Sequence, residues 1–566
     1  MKQLVISKII SAVLCGSVCI AGSAQEAKTV MAGDTLPNGI VLPAWPPKTE
    51  DPLSAAPMRV PYLEQPPAVI PVNTGRQLFV DDFLIASTDL KRVFHQANKY
   101  QANPVFFPET REELSGSFDN SAVTYLGQGG VFFDSRERLF KMFYTAGWRG
   151  GLAMATSKDL VNWQRPALGL AGGNIIMPPG AQFAGGDNAI MLDLLATDST
   201  QRYKAVIERL VDGNWAKNYN SREESPTHTL HTSADGRVWS QGVETGRASD
   251  YTSFFYNPFR NVWAFSIKRN TKRGRARYYT ESKDFIKNMN WDNAVYWVGA
   301  DSLDKPDEKI GDPAQLYSLN AIAYESIMLG EFYIHLGPSN QVCEDGKFPK
   351  ITELKLGFSR DGFYWHRPDR SAFIAPTRKE GDWDRAYLHG TMGVCMVIGD
   401  SLWFPYCGYS GVAPDGSKGM YTGASIGMAT LRRDGFASME AGSKTGVLLT
   451  RPVVFSGKYL FLNVDCPEGE LKVEVLDEAG KKIKGFAAAD CLPVNVNSTL
   501  RQVRWKDNPD LSSLTGRNVR FKFYLKNGKI YSFWVSPDAN GASYGYVGAG
   551  GPGYNGVIDD KGSNAY

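Results

Sequence analysis

Apolar residues in this chain fall in short runs, roughly four to eight long, closed by glycine, proline, asparagine or aspartate. That pattern predicts strands rather than helices. From residue 119 the runs come in pairs: Asp119–Tyr125 with Leu139–Tyr144, Asn188–Leu192 with Tyr203–Ile207, and Thr252–Tyr256 with Val262–Ile267. Ala321–Tyr324 with Glu331–His335 and Gly393–Ile398 with Leu402–Tyr406 continue the series. A third run, such as Leu152–Thr156 or Leu354–Phe358, then leads into a recurring turn. Its copies are Ser157-Lys158-Asp159-Leu160 with Trp163, Ser233-Ala234-Asp235-Gly236 with Trp239, Ser282-Lys283-Asp284-Phe285 with Trp291, and Ser359-Arg360-Asp361-Gly362 with Trp365. Arg433-Asp434-Gly435-Phe436 is a degenerate fifth copy. The Asp side chain can accept from its own backbone to tighten the turn, and the Trp can cover the sheet edge. Two strands, a third with its turn, and a fourth make one blade. The repeat therefore predicts an all-β chain with a five-bladed β-propeller over residues 76–442.

Past Phe436 the repeat stops. Alternating runs at Tyr459–Val464, Leu471–Leu476, Val519–Tyr524 and Ile530–Val535 predict a β-sandwich over 443–537. Residues 25–75 carry Pro43, Pro46, Pro47, Pro66 and Pro67 with little periodicity, which predicts an extended leader before the first strand at Gln77–Val80. The Gly- and Tyr-rich residues 538–566 predict a disordered tail.

Residues 1–24 have the pattern of an export signal: Lys2 and Lys8 at the front, an apolar stretch from Ile9 to Ile20, and Gly22-Ser23-Ala24 before Gln25. The residues preceding Cys15 and Cys19 fit a lipoprotein site poorly, so the chain is expected in the periplasm or medium without a lipid anchor. No later run is long and apolar enough to insert in a membrane. The net charge of +3 is spread over 566 residues without a long basic run, which argues against a nucleic acid partner. Outside the signal stand Cys343, Cys395, Cys407, Cys466 and Cys491, with no spacing that suggests zinc. Cys395 and Cys407 flank a turn. They read as buried thiols, with a disulfide as the alternative.

The repeat turns followed by a sandwich, together with Leu78-Phe79-Val80-Asp81-Asp82-Phe83, Tyr256-Asn257-Pro258-Phe259-Arg260 and Gly357-Phe358-Ser359-Arg360-Asp361-Gly362, resemble glycoside hydrolase families 32 and 43 and their exported relatives. The resemblance spans roughly residues 76 to 537. It implies hydrolysis of an oligo- or polysaccharide by carboxylates in the central pocket. A blade-one Asp is the nucleophile or base in those families, a blade-two Asp orients the sugar, and a blade-three Glu is the acid. Asp119 and Asp187 match the first two positions; blade three offers Asp250-Tyr251 instead. The resemblance implies no organic cofactor, and a channel calcium ion only as some family 43 enzymes hold one.

In a propeller the first strand of each blade lines the channel, so residues at those strand starts can meet in one pocket. They are Asp119, Asp187, Asp250, Asn320 with Glu325 on the same strand, and His389. Opposed carboxylates are what glycosidic cleavage requires, one acting as nucleophile or base and one as acid. Asp119, Asp187, Asp250 and Glu325 are thus the catalytic candidates, with Glu208 behind Glu325 as an acid. Trp148, Arg149, Arg269 and His389 are candidates for sugar binding, and Asp81 or Asp82 could face the pocket. A propeller that binds glycans without cleaving them is the alternative. If residues 1–24 are an export signal, mass spectrometry of the exported protein will find an unacylated N-terminus at Gln25.

Overall fold

A computed structural model describes residues 34–42, 44–47, 51–115, 121–168, 173–180, 183, 187–209, 228–287 and 290–566. The expected export signal, part of the leader and Asp119 lie outside the described residues. Among the described residues, five antiparallel sheets follow one another along the chain. The first holds Thr124–Tyr125, Leu139–Ala146 and Gly151–Ser157, and the second Asn188–Leu192, Tyr203–Glu208, His228–Ser233 and Val243–Glu244. Ser253–Asn257, Val262–Thr271, Gly274–Ser282 and Val295–Gly299 make the third. The fourth is built on Gln315–Glu325, Ile327–Gly337 and Ile351–Ser359, and the fifth on Ala386–His389, Ser401–Tyr409 and Ala424–Arg432. Successive sheets touch, Asn188–Leu192 on Ser253–Asn257, Ser253–Asn257 on Gln315–Glu325 and Ile351–Ser359 on Ala386–His389, and Ala424–Arg432 of the fifth packs on Thr124–Tyr125 of the first. Outermost in the fifth sheet is an early strand, Asn98–Lys99. The architecture is a β-propeller.

The repeat turns end third strands. Asp159 Oδ1 accepts from the backbone N–H groups of Val161 (3.0 Å) and Asn162 (2.7 Å). Asp235, Asp284 and Asp361 do the same two and three residues on. Each closes the turn with a carboxylate at the cost of no buried donor. Asp434 departs from the pattern. Its carboxylate takes the Tyr324 and Ser532 hydroxyls, each at 2.6 Å, and faces away from its own backbone.

Two six-stranded sheets form the sandwich, and here the domain reading needs correction. Gln77–Leu78 and Lys91–Phe94 join one sheet, while Ile70–Pro71 and Ile85–Thr88 join the other. Residues 70–94 therefore belong with 437–536 and not with a leader or the propeller. Apolar alternation marks a strand but says nothing of the edge it will pair with. Here Phe79 packs on Phe523 and Phe533, which decides the matter.

The residues read as a disordered tail are ordered. Tyr546–Val547 pairs with Tyr324–Glu325 of the fourth sheet. Ala549 N–H donates to Cys395 O (2.8 Å), Phe133 N–H to Ala549 O (3.0 Å) and Val397 N–H to Gly550 O (3.0 Å). The tail thus ties the first, fourth and fifth sheets together across one end of the channel. Its glycines serve close approach rather than disorder: Gly548 has φ +59°, and a Cβ on Gly551 would collide with the Val397 carbonyl.

A buried charge network joins propeller, sandwich and tail. Arg433 Nη2 donates to Glu325 Oε1 (2.9 Å) and Asp559 Oδ2 (2.8 Å), and Arg76 Nη1 to Asp434 Oδ2 (3.2 Å). All five side chains are fully buried. All five Cys outside the expected signal are buried free thiols. Arg433→Met should destabilise the protein by about 3 to 5 kcal/mol, because Glu325 and Asp559 would remain buried beside an uncharged side chain. Denaturant unfolding of wild type and variant measures it.

Candidate functional site

The starts of the inner strands bring Tyr125, Asp187, Tyr251, Tyr317 and His389 together at the other end of the channel. His389 is fully buried, and the Tyr251 hydroxyl bonds its Nδ1 at 2.7 Å. The rings of Tyr125, Tyr251, Tyr317, Tyr333, Tyr387 and Tyr409 surround it, with Tyr387 nearest at 4.2 Å between centroids. Burial, then the Lys350 charge, hold its pKa well below the ordinary histidine range. It is a neutral imidazole at pH 7. Deeper in the channel Asn320 donates to the Tyr333 hydroxyl (2.7 Å), and burial pushes the Glu331 carboxyl up to about 8.

Asp187 enters from the second sheet. Its Oδ1 accepts the Tyr125 hydroxyl (3.0 Å) and its Oδ2 the Tyr251 N–H (3.2 Å), so one carboxylate bridges the first and third sheets. Asn188 pairs with Ile207 and Glu208 with His228. The same register sets Asp187 opposite Glu208, whose N–H donates to the Asp187 carbonyl at 3.3 Å. Directly opposed residues share a sheet face with Cβ atoms about 4.5–5.5 Å apart. Asp187, Glu208 and His228 therefore form one cross-strand row, and Glu208 and His228 in it are fully buried.

The third sheet supplies the charge. Lys268 pairs with Arg277 across strands, and Asn270 with Arg275, so Lys268, Arg275 and Arg277 share one face. Lys268 forms an ion pair with Asp250. Arg277 donates to the Tyr251 carbonyl (2.6 Å) and the Tyr317 carbonyl (3.2 Å), and burial draws its pKa down to about 9. Lys350 approaches from the turn before Ile351–Ser359. Its Nζ stands over the rings of Tyr387 (4.6 Å), Tyr421 (5.2 Å) and Tyr317 (5.5 Å) and donates to Asn340 Oδ1 at 2.9 Å. Burial, then the charges of Arg275 and Lys268, lower its pKa to about 7. Trp148 stacks on Tyr421 at the rim with centroids 4.1 Å apart.

Of the residues singled out from sequence, Asp187, Asp250, Trp148 and His389 meet in this cup. Arg149, half-buried with φ +53°, adjoins the Tyr421 end. Glu325 does not join them. It lies in the charge network beneath the fourth sheet, where Ser543 Oγ (2.7 Å), Arg76 and Arg433 hold it. A strand start and a strand end sit at opposite faces of a propeller, and Glu325 ends its strand. Arg269 also turns elsewhere, donating to the Trp291 (2.6 Å) and Arg247 (3.1 Å) carbonyls. Its neighbour Lys268 points into the cup, as alternation along a strand requires. Asp81 is buried in a bidentate pair with Arg360, and Asp82 pairs with Arg92 at the surface. Sequence reading missed Lys268, Arg275, Lys350 and the tyrosine ring, because only register shows which residues share a face. Among the described residues no three His, Cys, Asp or Glu side chains stand where they could hold a metal ion.

No family model and no curated relative matches the chain. Solved structures do. A thermostable family 43 glycoside hydrolase is 11% identical with a TM-score of 0.38, over 57% of this chain and 94% of its own. The β-1,2-mannobiose phosphorylase of Listeria innocua is 10% identical with a TM-score of 0.38, over 59% and 96%. A family 130 structure, from a family of mannoside phosphorylases containing hydrolases of β-1,2-mannosidic linkages in Candida mannan, is 12% identical with a TM-score of 0.36, over 60% and 94%.

Lys350 leaves a signature in stability. Above about pH 7 it is neutral in the folded protein, while an ordinary unfolded lysine stays protonated to about pH 10.4. The unfolded chain then binds the extra proton, so this residue makes stability rise with pH between those values. The unfolding free energy of wild type relative to Lys350→Met should increase from pH 7 to 9, measured by denaturant titration at each pH.

Proposed function

We propose that the protein is an exported carbohydrate-active enzyme that cleaves a glycosidic bond in this cup. Carrying the reading is the carboxylate pair of the second sheet, Asp187 opposite Glu208, faced by Asp250 from the third sheet. Glycosidic cleavage needs one carboxyl that accepts or attacks and one that donates a proton, in different surroundings. Asp187, bonded by two donors, suits the ionised role of orienting sugar hydroxyls. Glu208, fully buried beside it, suits the proton donor that Glu325 cannot be. Asp250, paired with Lys268, is placed to take a sugar hydroxyl. Asp119 is retained from the sequence reading as nucleophile or base. Trp148 and Tyr421 offer aromatic faces for a sugar ring.

A panel of plant and microbial glycans tests the reading, and turnover of none would replace it with a binding propeller. On the substrate found, Asp119→Asn should lower turnover about 10³-fold or more, and Asp187→Asn should damage both affinity and rate. Glu208→Gln should lose about 10²- to 10⁴-fold on natural glycans but much less on aryl glycosides, whose leaving groups need no proton. Equal loss on both substrates would remove Glu208 from the acid role. Melting curves of each variant verify the fold.

A further inference from the structure

The fourth and fifth sheets meet along a seam that carries His389. Thr352 Oγ1 of the fourth sheet donates to the Leu388 carbonyl at 2.7 Å. Glu331 reaches across from the same sheet, where its strand neighbours are Asn320 and Leu356. Its carboxyl presses on the backbone just after His389, since a Cβ on Gly390 would collide with Oε2 and Cδ. A glycine there is what lets the two sheets close. The donors that approach the carboxyl are the Thr391 N–H and the Tyr333 hydroxyl. Tyr333 in turn takes the Asn320 amide (2.7 Å) and sets its ring nearly perpendicular to His389, with centroids 6.0 Å apart. Thr391 Oγ1 donates to the Gly129 carbonyl beside the first sheet, so the segment 389–391 is held from two sides.

Glu331 is fully buried, and burial raises its pKa to about 8, with the Thr391 and Tyr333 donors only partly offsetting this. Tyr333 on its own strand and Cys395 of the fifth sheet are the titratable groups beside it, and burial keeps both neutral. Arg277 of the third sheet and Cys407 of the fifth act on Tyr333, while Lys350 acts on His389. A proton rather than a cation thus makes the carboxyl tolerable in this seam. Once ionised, the group would need stronger donors than one amide and one phenol, and the backbone it presses on is the one that carries His389.

From this geometry we infer that Glu331, kept as a neutral carboxylic acid, is the positioning residue of His389, and that loss of its proton unseats the imidazole from the ring of tyrosines. Nothing in this depends on which bond the cup cleaves.

The chain holds six histidines, so isotope-labelled histidine gives ring signals that NMR can follow in the full-length protein, with His389 assigned by its absence in His389→Gln. His389 stays neutral at pH 7 and above, which removes its own titration from the measurement. Its wild-type signals should shift with rising pH, with a midpoint of about 8. In Glu331→Gln, which keeps the shape without the charge, that shift should be absent. Lys350 and Arg277 titrate nearby, at about 7 and about 9, and any shift they cause remains in Glu331→Gln. The difference between the two proteins is therefore the readout. Equal pH profiles, as a merely structural glutamate would give, or no shift in wild type, overturns the inference.

Stability supplies a second check. Between the ordinary value of 4.5 and about 8 only the folded protein keeps the Glu331 proton, so this residue makes wild-type stability fall as pH rises. Glu331→Gln should gain on wild type across that window and level off above it, by denaturant unfolding at each pH. A constant difference removes the neutral carboxyl and overturns the inference. Gly390→Ala, whose methyl must displace the carboxyl, should move the His389 signals already at pH 7, and unmoved signals also overturn it. If melting curves show that Gly390→Ala does not fold, Glu331→Gln decides alone.

Discussion

Arg76, Glu325, Arg433 with its neighbour Asp434, and Asp559 come from four separate stretches of chain and meet in full burial, and the rest of the molecule is arranged around that meeting. Desolvating so many charges is costly, and only near-complete pairing offsets it. Tyr324, Ser532, Ser543, Tyr554, Asn463 and the Thr499 carbonyl add further hydrogen bonds, and the Arg76 guanidinium stands over the Trp534 ring at 4.2 Å. Burial alone would raise the Asp434 carboxyl, but Arg76 and Arg433 outweigh it and hold the group below the ordinary aspartate range. No one segment can leave without exposing a partner of opposite sign. Propeller, sandwich and tail are for that reason one packed body at this end.

The opposite end has the reverse character. There the channel gathers a row of carboxyls, a ring of phenols and several cations. Such a division suits a propeller, whose inner strands begin at one face and end at the other. Charges at the strand ends are locked in pairs, whereas the groups at the strand starts line the cup.

Local physics explains what was legible in the chain itself. A serine, an aspartate and the two N–H groups beyond it lie within a few residues, so the turns at Asp159, Asp235, Asp284 and Asp361 could be read directly. So could the alternating strands and the all-β class. Asp187 was legible too, because it stands where a strand begins, and His389 because it lies in the first strand of its sheet. The fifth turn shows the limit: Asp434 has the motif yet spends its carboxylate on Arg76, Tyr324 and Ser532, partners between 98 and 358 residues away.

Sequence by itself determined the periodicity, the turns and the strand starts, since these depend on neighbours a few residues apart. Tertiary structure alone decided that residues 70–94 complete the sandwich, that the glycine-rich tail caps the channel, and that Glu325 is a buried ion-pair partner. It also decided that Lys268 rather than Arg269 faces the cup, and that Glu208 stands opposite Asp187. Each of these turns on strand pairing between distant segments. Pairing depends on shape and on burial of both partners, and a single strand's sequence holds only half of that information.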